Sequence, residues 1–394
     1  MLKNNNHSLT ESPAIAQGFL FKTIFLNIRL FSSKINYLAQ AKGMTMKKEI
    51  KGQGAVQNIH NHFIKHRYEK SIYDDDFEET VAKTEILEVF PKTIVNVVKS
   101  PDLPMMYSMN PYQGCEHGCA YCFARPTHEY WGYSAGVDFE RKIMVKKNAP
   151  QLLEQFFKKR GYKPEPILLS GNTDCYQPIE RKLEITRNIL KVFLDYRHPV
   201  HILTKNALVT RDIDIIAQLA EKNLASVSLS IPTINEELRR KLEPRTSSVN
   251  NKLQAIENLT ANGIPVNVMV APIIPGLNSM EILNTLKVIK EKGALSFGYT
   301  LVRLNDTVEP VFRDWLEEHY PDRKDKVLHH IESMHGGKLG EKAFFKRRKG
   351  EGNIAEMIHT TFRVGRQKYF PEGDFPELHT DLFDGTKGEQ LRLF

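Results

Sequence analysis

Residues 110–133 read NPYQGCEHGCAYCFARPTHEYWGY and hold three of the chain's four cysteines, Cys115, Cys119 and Cys122, spaced C-x3-C-x2-C. Thiolates are soft ligands that select zinc, copper(I) or iron–sulfur clusters. Three of them gathered in one loop, in a chain with a single other cysteine, point to a bound inorganic group rather than to packing. A closed structural zinc site takes four protein ligands, and a ferredoxin run supplies four cysteines. Three thiols leave one metal position open, to be completed by a substrate or cofactor. The alternative is a three-cysteine zinc site closed by His117 or His128.

Downstream of this loop a strand-then-helix unit repeats. YSMNPYQG (107–114) leads into the cysteines, and PILLSG (166–171), VHILTK (200–205), ASVSLSI (225–231), IPVNVMVA (264–271) and SFGYTLVR (296–303) are five further short apolar runs. Helical stretches lie between them; from Leu183 to Tyr196, Leu183, Ile189, Leu190, Phe193 and Leu194 recur on one face. Strands alternating with helices imply parallel pairing through right-handed crossovers. Six units predict an α/β chain built as a partial (β/α)6 TIM-type barrel over residues 105–305, and two more strands for a closed eight-stranded barrel are not found. An extended lead-in (44–104) precedes it, and a basic helical extension (306–380) and a tail (381–394) follow.

With its aromatic Tyr121 before the third cysteine, the loop resembles the cluster loop of the radical S-adenosylmethionine (SAM) superfamily. The longer phrase NPYQGCEHGCAYCFARP, together with NTDCYQPIER (172–181), is similar to the branch related to spore photoproduct lyase, and the likeness runs from about Gly52 to the C-terminus. The resemblance implies that Cys115, Cys119 and Cys122 hold three irons of a 4Fe-4S cluster and that the amino and carboxylate groups of SAM chelate the fourth. An electron from an external one-electron reductant then cleaves SAM to a 5′-deoxyadenosyl radical that abstracts hydrogen from the substrate. It also implies SAM contacts at Tyr121, at Ser170, Asn172, Thr173 and Asp174 closing the second strand, and at Ile274 in APIIPGLN (271–278). Asp174 would accept from the SAM ammonium, and Ile274 would lie on adenine.

Chemistry in such barrels sits at the C-terminal ends of the strands. Ser228 and Ser230 share one face because strand side chains alternate, and they put hydroxyls where a closed barrel holds Val or Ile. We read them as ribose or carboxylate contacts. Lys205 and Arg303 are rim cations suited to a carboxylate or phosphate, and Asn267 is a further inward polar candidate. Glu243 and Arg245 flank a proline in LEPRT (242–246), as a salt bridge or as a substrate clamp. Cys175 follows Asp174, and its weak S–H bond suits it to give hydrogen to a substrate radical, with Tyr176 extending the relay. A lone cysteine is otherwise a small buried hydrophobe. The lyase branch's own donor position falls on Gly171, a departure that puts lyase activity in doubt.

Composition agrees with a globular enzyme: 41% hydrophobic and 26% charged residues in a chain of 394. Cys175 has no partner for a disulfide once the loop is committed, so a reducing, cytoplasmic compartment is expected. No apolar run approaches the length of a membrane span. The net charge of +8 is uneven. Residues 1–43 carry five Lys or Arg and one acidic residue, in a segment that reads as a transit peptide or, more simply, as sequence ahead of a true start at Met44 or Met46. Residues 321–370 carry twelve Lys or Arg against six acidic residues, with KRRKG at 346–350. Such a face attracts phosphate, although a charge run is also an ordinary solvated helix face.

The last five residues, QLRLF, look like the short peptide by which bacterial replication and repair proteins dock on the sliding clamp. Gln390 would anchor by hydrogen bonds, and Leu391, Leu393 and Phe394 would fill an apolar pocket. The expectation is a radical SAM enzyme acting on nucleic acid, DNA repair or processing foremost. The alternatives are modification of RNA or of a protein side chain, and a non-catalytic iron–sulfur scaffold recruited to the clamp. Catalytic SAM cleavage separates the scaffold from the enzymes.

Overall fold

The structure, a computed structural model, describes residues 52–55, 57–59, 84–372 and 375–385. All six apolar runs form strands: β3 (Tyr107–Met109), β6 (Ile167–Leu169), β7 (Val200–Thr204), β8 (Ala225–Ser230), β9 (Val266–Ile273) and β10 (Ser296–Leu301). They pair in parallel in the order β10-β9-β8-β7-β6-β3, and β2 (Val95–Val97) adds an antiparallel edge to β3. No pairing among the described residues joins β10 to the other edge, so the sheet is the partial barrel expected.

The two faces of the sheet differ in burial as well as in sequence. On β7, Val200 and Ile202 are fully buried while His201 and Leu203 are only partly so; on β9, Val266, Val268 and Val270 are buried and Asn267 and Met269 remain half-open. The β-branched and leucine side packs under the helices, and the other side lines an open lumen. Ser228 sits opposite Leu203 on one neighbour and Asn267 on the other, so β8 presents Ser226, Ser228 and Ser230 inward together.

Helices α1 (Val137–Arg141), α2 (Ala149–Phe157), α3 (Glu180–Leu183), α4 (Ile185–Asp195), α5 (Ile213–Ala220), α6 (Glu236–Leu242), α7 (Val249–Ala261) and α8 (Ile282–Glu291) fill the crossovers. On α4, Ile189, Leu190 and Phe193 of the anticipated stripe are buried and Leu194 is partly so, Leu183 ends α3, and Ile185 joins the buried face. Side-chain caps start the helices beside the site: Asn235 accepts from Leu238 N at 3.0 Å ahead of α6, and Ser248 accepts from Asn251 N at 3.2 Å ahead of α7.

The lead-in is more structured than expected. β1 (Glu85–Glu88) pairs in parallel with β5 (Lys142–Val145), which also takes β4 (Tyr112–Gln113), making a small second sheet beneath the cysteine loop. These strands have two to four residues, too few for alternation to register. The C-terminal part is helical as predicted, with α9 (Val308–His319), α10 (Lys324–Met334) and α11 (Gly352–Tyr369). It is no appendage. Phe362 of α11 stacks on Tyr299 of β10 with ring centroids 3.7 Å apart, and Gly365 lets α11 approach α8 so closely that a Cβ there would meet Leu286 at 2.3 Å. The extension is the outer layer of the last strand. Among the described residues no helix is long and apolar enough to cross a membrane. The QLRLF tail lies outside the described residues.

Candidate active site

The cysteine loop lies over the C-terminal ends of the strands, and buried polar groups fix its shape. Arg125 is fully buried and donates from Nε and Nη2 to the Cys119 carbonyl (3.1 and 2.8 Å), from Nη1 to the Ala135 and Gly136 carbonyls, and from Nη2 to Glu140 Oε1 at 2.6 Å. Glu140 in turn accepts from Gly54 N and Ala55 N at 3.2 and 2.8 Å, strapping residues 52–59 across the loop. Gly54 belongs there because a Cβ would stand 1.6 Å from the Gly118 carbonyl oxygen. Glu116 accepts from Thr84 Oγ1 and Ile179 N, and Cys115 N donates to Phe139 O.

The three thiols face one another across this loop. Cys115 and Cys122 share an apolar cluster with Phe139, and Cys122 also packs beside Cys119 and Tyr121. Burial, and then the Glu243 charge, push the Cys119 thiol well above its ordinary range, and burial brings Cys122 up to about 11. Such thiols ionise only against added positive charge, which iron would supply. Among the described residues no three His, Cys, Asp or Glu side chains converge tightly enough for a single metal ion. His117 is engaged elsewhere: its Nδ1 lies 3.4 Å from Asp174 Oδ2 and its Nε2 faces Asn206 at 3.3 Å. Burial opposes its charge, but Asp174 and Cys115 outweigh that and raise it to about 9.

A family model described as the radical SAM superfamily matches residues 109–289. An uncharacterized protein of Mycobacterium tuberculosis is 33% identical over 241 residues, covering 60% of this chain and 70% of its own length. The chain belongs to the radical SAM superfamily. An uncharacterized protein of Methanocaldococcus jannaschii is 32% identical over 61% of this chain and 86% of its own. Spore photoproduct lyase, solved with a dinucleoside spore photoproduct, superposes with a TM-score of 0.52 at 17% identity, covering 73% of this chain and 80% of that one, a likeness of fold. The superfamily uses a 4Fe-4S cluster and SAM, and a loop of three thiols beside the ends of the parallel strands fits both.

Several residues expected to touch SAM also hydrogen-bond within the chain, where they hold the radical SAM loop in place. Asp174 Oδ1 accepts from Thr204 Oγ1 (2.7 Å) and Tyr176 N (2.8 Å), and Oδ2 from Lys205 N (2.7 Å) beside His117. These three hydrogen bonds tie the ends of two strands together beside the loop. Ser170, at φ 88°, donates to the Thr173 carbonyl and accepts from Cys175 N. Thr173 Oγ1 donates to the Tyr112 carbonyl. Asn172 is partly exposed at the mouth, its Nδ2 3.3 Å from Thr127 Oγ1. Ile274 is buried in the same apolar cluster as Cys119 and Tyr121.

The Glu243–Arg245 pair does not exist. Glu243 is fully enclosed and accepts from Lys205 Nζ at 2.7 Å, Lys252 Nζ at 2.9 Å and the Tyr121 hydroxyl, while Arg245 reaches back to the Glu140 carbonyl at 3.1 Å. Burial would raise the Glu243 carboxyl, but the two lysines hold it far below the usual carboxylate range. Glu243, Lys205 and Lys252 thus form one network beneath Tyr121. Cys175 is fully buried in the main core with Tyr112 and Tyr176, and burial pushes its thiol well up. The Tyr176 hydroxyl donates to Asp212 at 3.0 Å.

The lumen contains a band that was only half anticipated. Asn267 Nδ2 donates to Ser228 Oγ at 2.8 Å, and His201 bridges Ser226 (2.7 Å) and Ser228 (2.9 Å) with its two ring nitrogens. Burial lowers His201 to about 4, so it is neutral, one nitrogen donating and the other accepting. Its inward phase relative to Val200 and Ile202 was available from strand alternation. Arg303 lies with its guanidinium 5.8 Å from the Phe123 ring centroid, and its Nη1 is buried without a partner.

Proposed function

We propose that this radical SAM enzyme acts on nucleic acid, with DNA repair or processing as its reaction class, in a reducing cytoplasmic compartment. Cys115, Cys119 and Cys122 would hold the 4Fe-4S cluster, and the mouth residues Asn172, Ser228, Ser230, Asn267, Ile274 and Arg303 would face SAM and substrate. When bound, the cluster and SAM supply reductive cleavage of a sulfonium and a carbon radical that abstracts hydrogen. The chain's own residues do the rest: Arg125, Glu140 and Asp174 hold the loop rigid, the helix layer keeps the outer face dry, and the uncharged His201, Ser226, Ser228 and Asn267 band offers hydrogen bonds without a competing charge.

The observation that carries the nucleic-acid reading is Arg303. Its guanidinium sits at the strand end nearest the loop with one nitrogen unpartnered, in a field already positive from the 346–349 turn, and a phosphate answers both features. The reading is tested by anaerobic reconstitution with dithionite and SAM, followed by assay of 5′-deoxyadenosine with and without ultraviolet-damaged DNA. Stimulation by damaged DNA supports it; SAM cleavage that responds only to RNA or a protein overturns it, and no cleavage at all returns the scaffold alternative. The clamp reading rests on the five tail residues alone, and titrating a peptide of residues 385–394 against the clamp tests it.

A further inference from the structure

We infer that the turn carrying Phe344, Phe345 and Arg348, with Arg303 and Phe123 beside the cysteine loop, is a docking surface for single-stranded nucleic acid. This deepens the nucleic-acid reading above and rests on it.

The segment AFFKRRKG (343–350) interleaves aromatic and cationic residues, unlike a plain solvated charge run. Phe344 and Phe345 are 47% and 61% exposed, and Phe123, directly after Cys122, is 56% exposed. Phe345 adopts φ 66°, a left-handed conformation costly for a bulky side chain and kept only where surroundings impose it. The surroundings do impose it. Arg347 grips Asp102 with Nε and Nη2 at 2.8 and 2.6 Å, Arg348 Nη1 donates to the Asp102 carbonyl at 3.1 Å, and Leu301 N donates to the Arg348 carbonyl at 3.0 Å. The turn is therefore pinned both to the end of β10 and to the loop holding Asp102. Its aromatic rings are held out in solvent by design of the backbone, not left there by fraying.

Charge completes the pattern. Asp102 answers Arg347, and three guanidiniums against that one carboxylate leave a surplus of two positive charges. Arg303 has a buried Nη1 with no partner in the chain, and Arg347 additionally lies 4.8 Å from the Phe344 centroid. A phosphate placed on Arg303 and Arg348 brings the neighbouring bases over Phe344, Phe345 and Phe123, the combination of cationic track and stacking platforms that binds single strands without sequence preference. A duplex hides its base faces within its own stack, and an acidic peptide offers charge but no flat rings, so an unpaired strand fits this surface better than either. Its place beside the cysteine loop would lead one nucleotide of the strand to the barrel mouth.

Fluorescence anisotropy on the anaerobically reconstituted full chain tests this, with labelled twelve-residue oligothymidylate, the matching duplex and polyglutamate as probes. Phe344→Ala with Phe345→Ala removes two exposed rings and is expected to weaken oligothymidylate binding at least tenfold, since one base–aromatic stack is worth about 1–3 kcal/mol, while iron content and unfolding temperature stay those of the parent. Arg348→Gln should weaken it and flatten its salt dependence. Duplex or polyglutamate bound as tightly as the single strand, or a double variant that binds like the parent, overturns the surface. If the parent binds no nucleic acid of any form, the reading under Proposed function falls with it; if it binds but ignores these substitutions, only the surface falls. Equal binding of single-stranded RNA and DNA supports the surface.

Discussion

Glu243→Gln removes one negative charge from a site enclosing two lysines, and the structure indicates how much that costs. The carboxylate is fully buried, Lys252 is 1% exposed and Lys205 20%, and both ammonium groups lie within 2.9 Å of its oxygens. The Tyr121 hydroxyl and Thr246 Oγ1, the latter at 3.4 Å, complete the shell. A glutamine there keeps one acceptor oxygen but turns an NH2 toward the second lysine, donor against donor, and leaves two positive charges with no counter-ion. Breaking one partner out of a buried ion pair costs about 3–5 kcal/mol, a fall in unfolding temperature of roughly 5–15 °C.

Thermal and denaturant unfolding under anaerobic conditions measure it. The informative control is Glu243→Gln with Lys252→Met, which withdraws the stranded charge while keeping an unbranched apolar stem; it should unfold later than the single variant. A single variant within about 1 kcal/mol of the parent, or a double variant no better than the single, refutes the network as the support under Tyr121.

Cys119→Ala should strip the cluster, so that about four irons per chain fall toward zero and SAM cleavage stops; unchanged iron content would sink the thiolate assignment. Cys175→Ala should cost about 1–2 kcal/mol of stability for its buried sulfur yet leave product and 5′-deoxyadenosine yields alone, whereas product falling at constant 5′-deoxyadenosine would restore the hydrogen-donor role. Gly54→Ala must push residues 52–55 off the Gly118 carbonyl, so iron should be lost faster to a chelator; an unaltered rate would show the strap to be dispensable. His198 donates from Nδ1 to the Pro199 carbonyl and accepts from the Tyr162 hydroxyl, and burial lowers it to about 3. Its folded value lies below the unfolded 6.5, so the unfolded chain takes the proton first: stability is full above about pH 6.5 and falls below it, by about 2 kcal/mol at pH 5. His198→Phe should flatten that slope between pH 7 and 5.

The barrel was legible because the strands carry most of their Val and Ile on the helix-facing side, so the pattern survives Leu203, Asn267, His201 and three serines on the other side. The C-terminal helices were legible as helices, but their docking was not, since Phe362 meeting Tyr299 is a contact between positions far apart in the chain. The same distance hid the partner of Glu243. Arg245 is near it in sequence, yet the residues that bind it are Lys205 and Lys252, and the place of Lys252 on the buried stripe of α7 with Val249, Ala255, Ile256 and Leu259 was the available signal. A lysine on an apolar stripe requires a buried carboxylate somewhere.

Polar residues at the mouth therefore divide by whether the chain itself satisfies them. Asp174, Ser170, Thr173, Lys205 and Glu243 have their hydrogen bonds answered internally, and each ties the cysteine loop or the segments beneath it to another strand. Such residues read as ligand contacts from sequence because a polar group at a strand end is equally suited to either task. Arg303, with an unanswered nitrogen, and the partly exposed Asn172 and Asn267 are different: a buried unpartnered guanidinium nitrogen is costly, and a bound anion recovers that cost. The surface we propose for ligands is thus smaller than the polar inventory of the mouth and leans toward β9, β10 and the 343–350 turn. On that proposal substrate would enter beside β10, an edge strand that pairs with no further strand among the described residues.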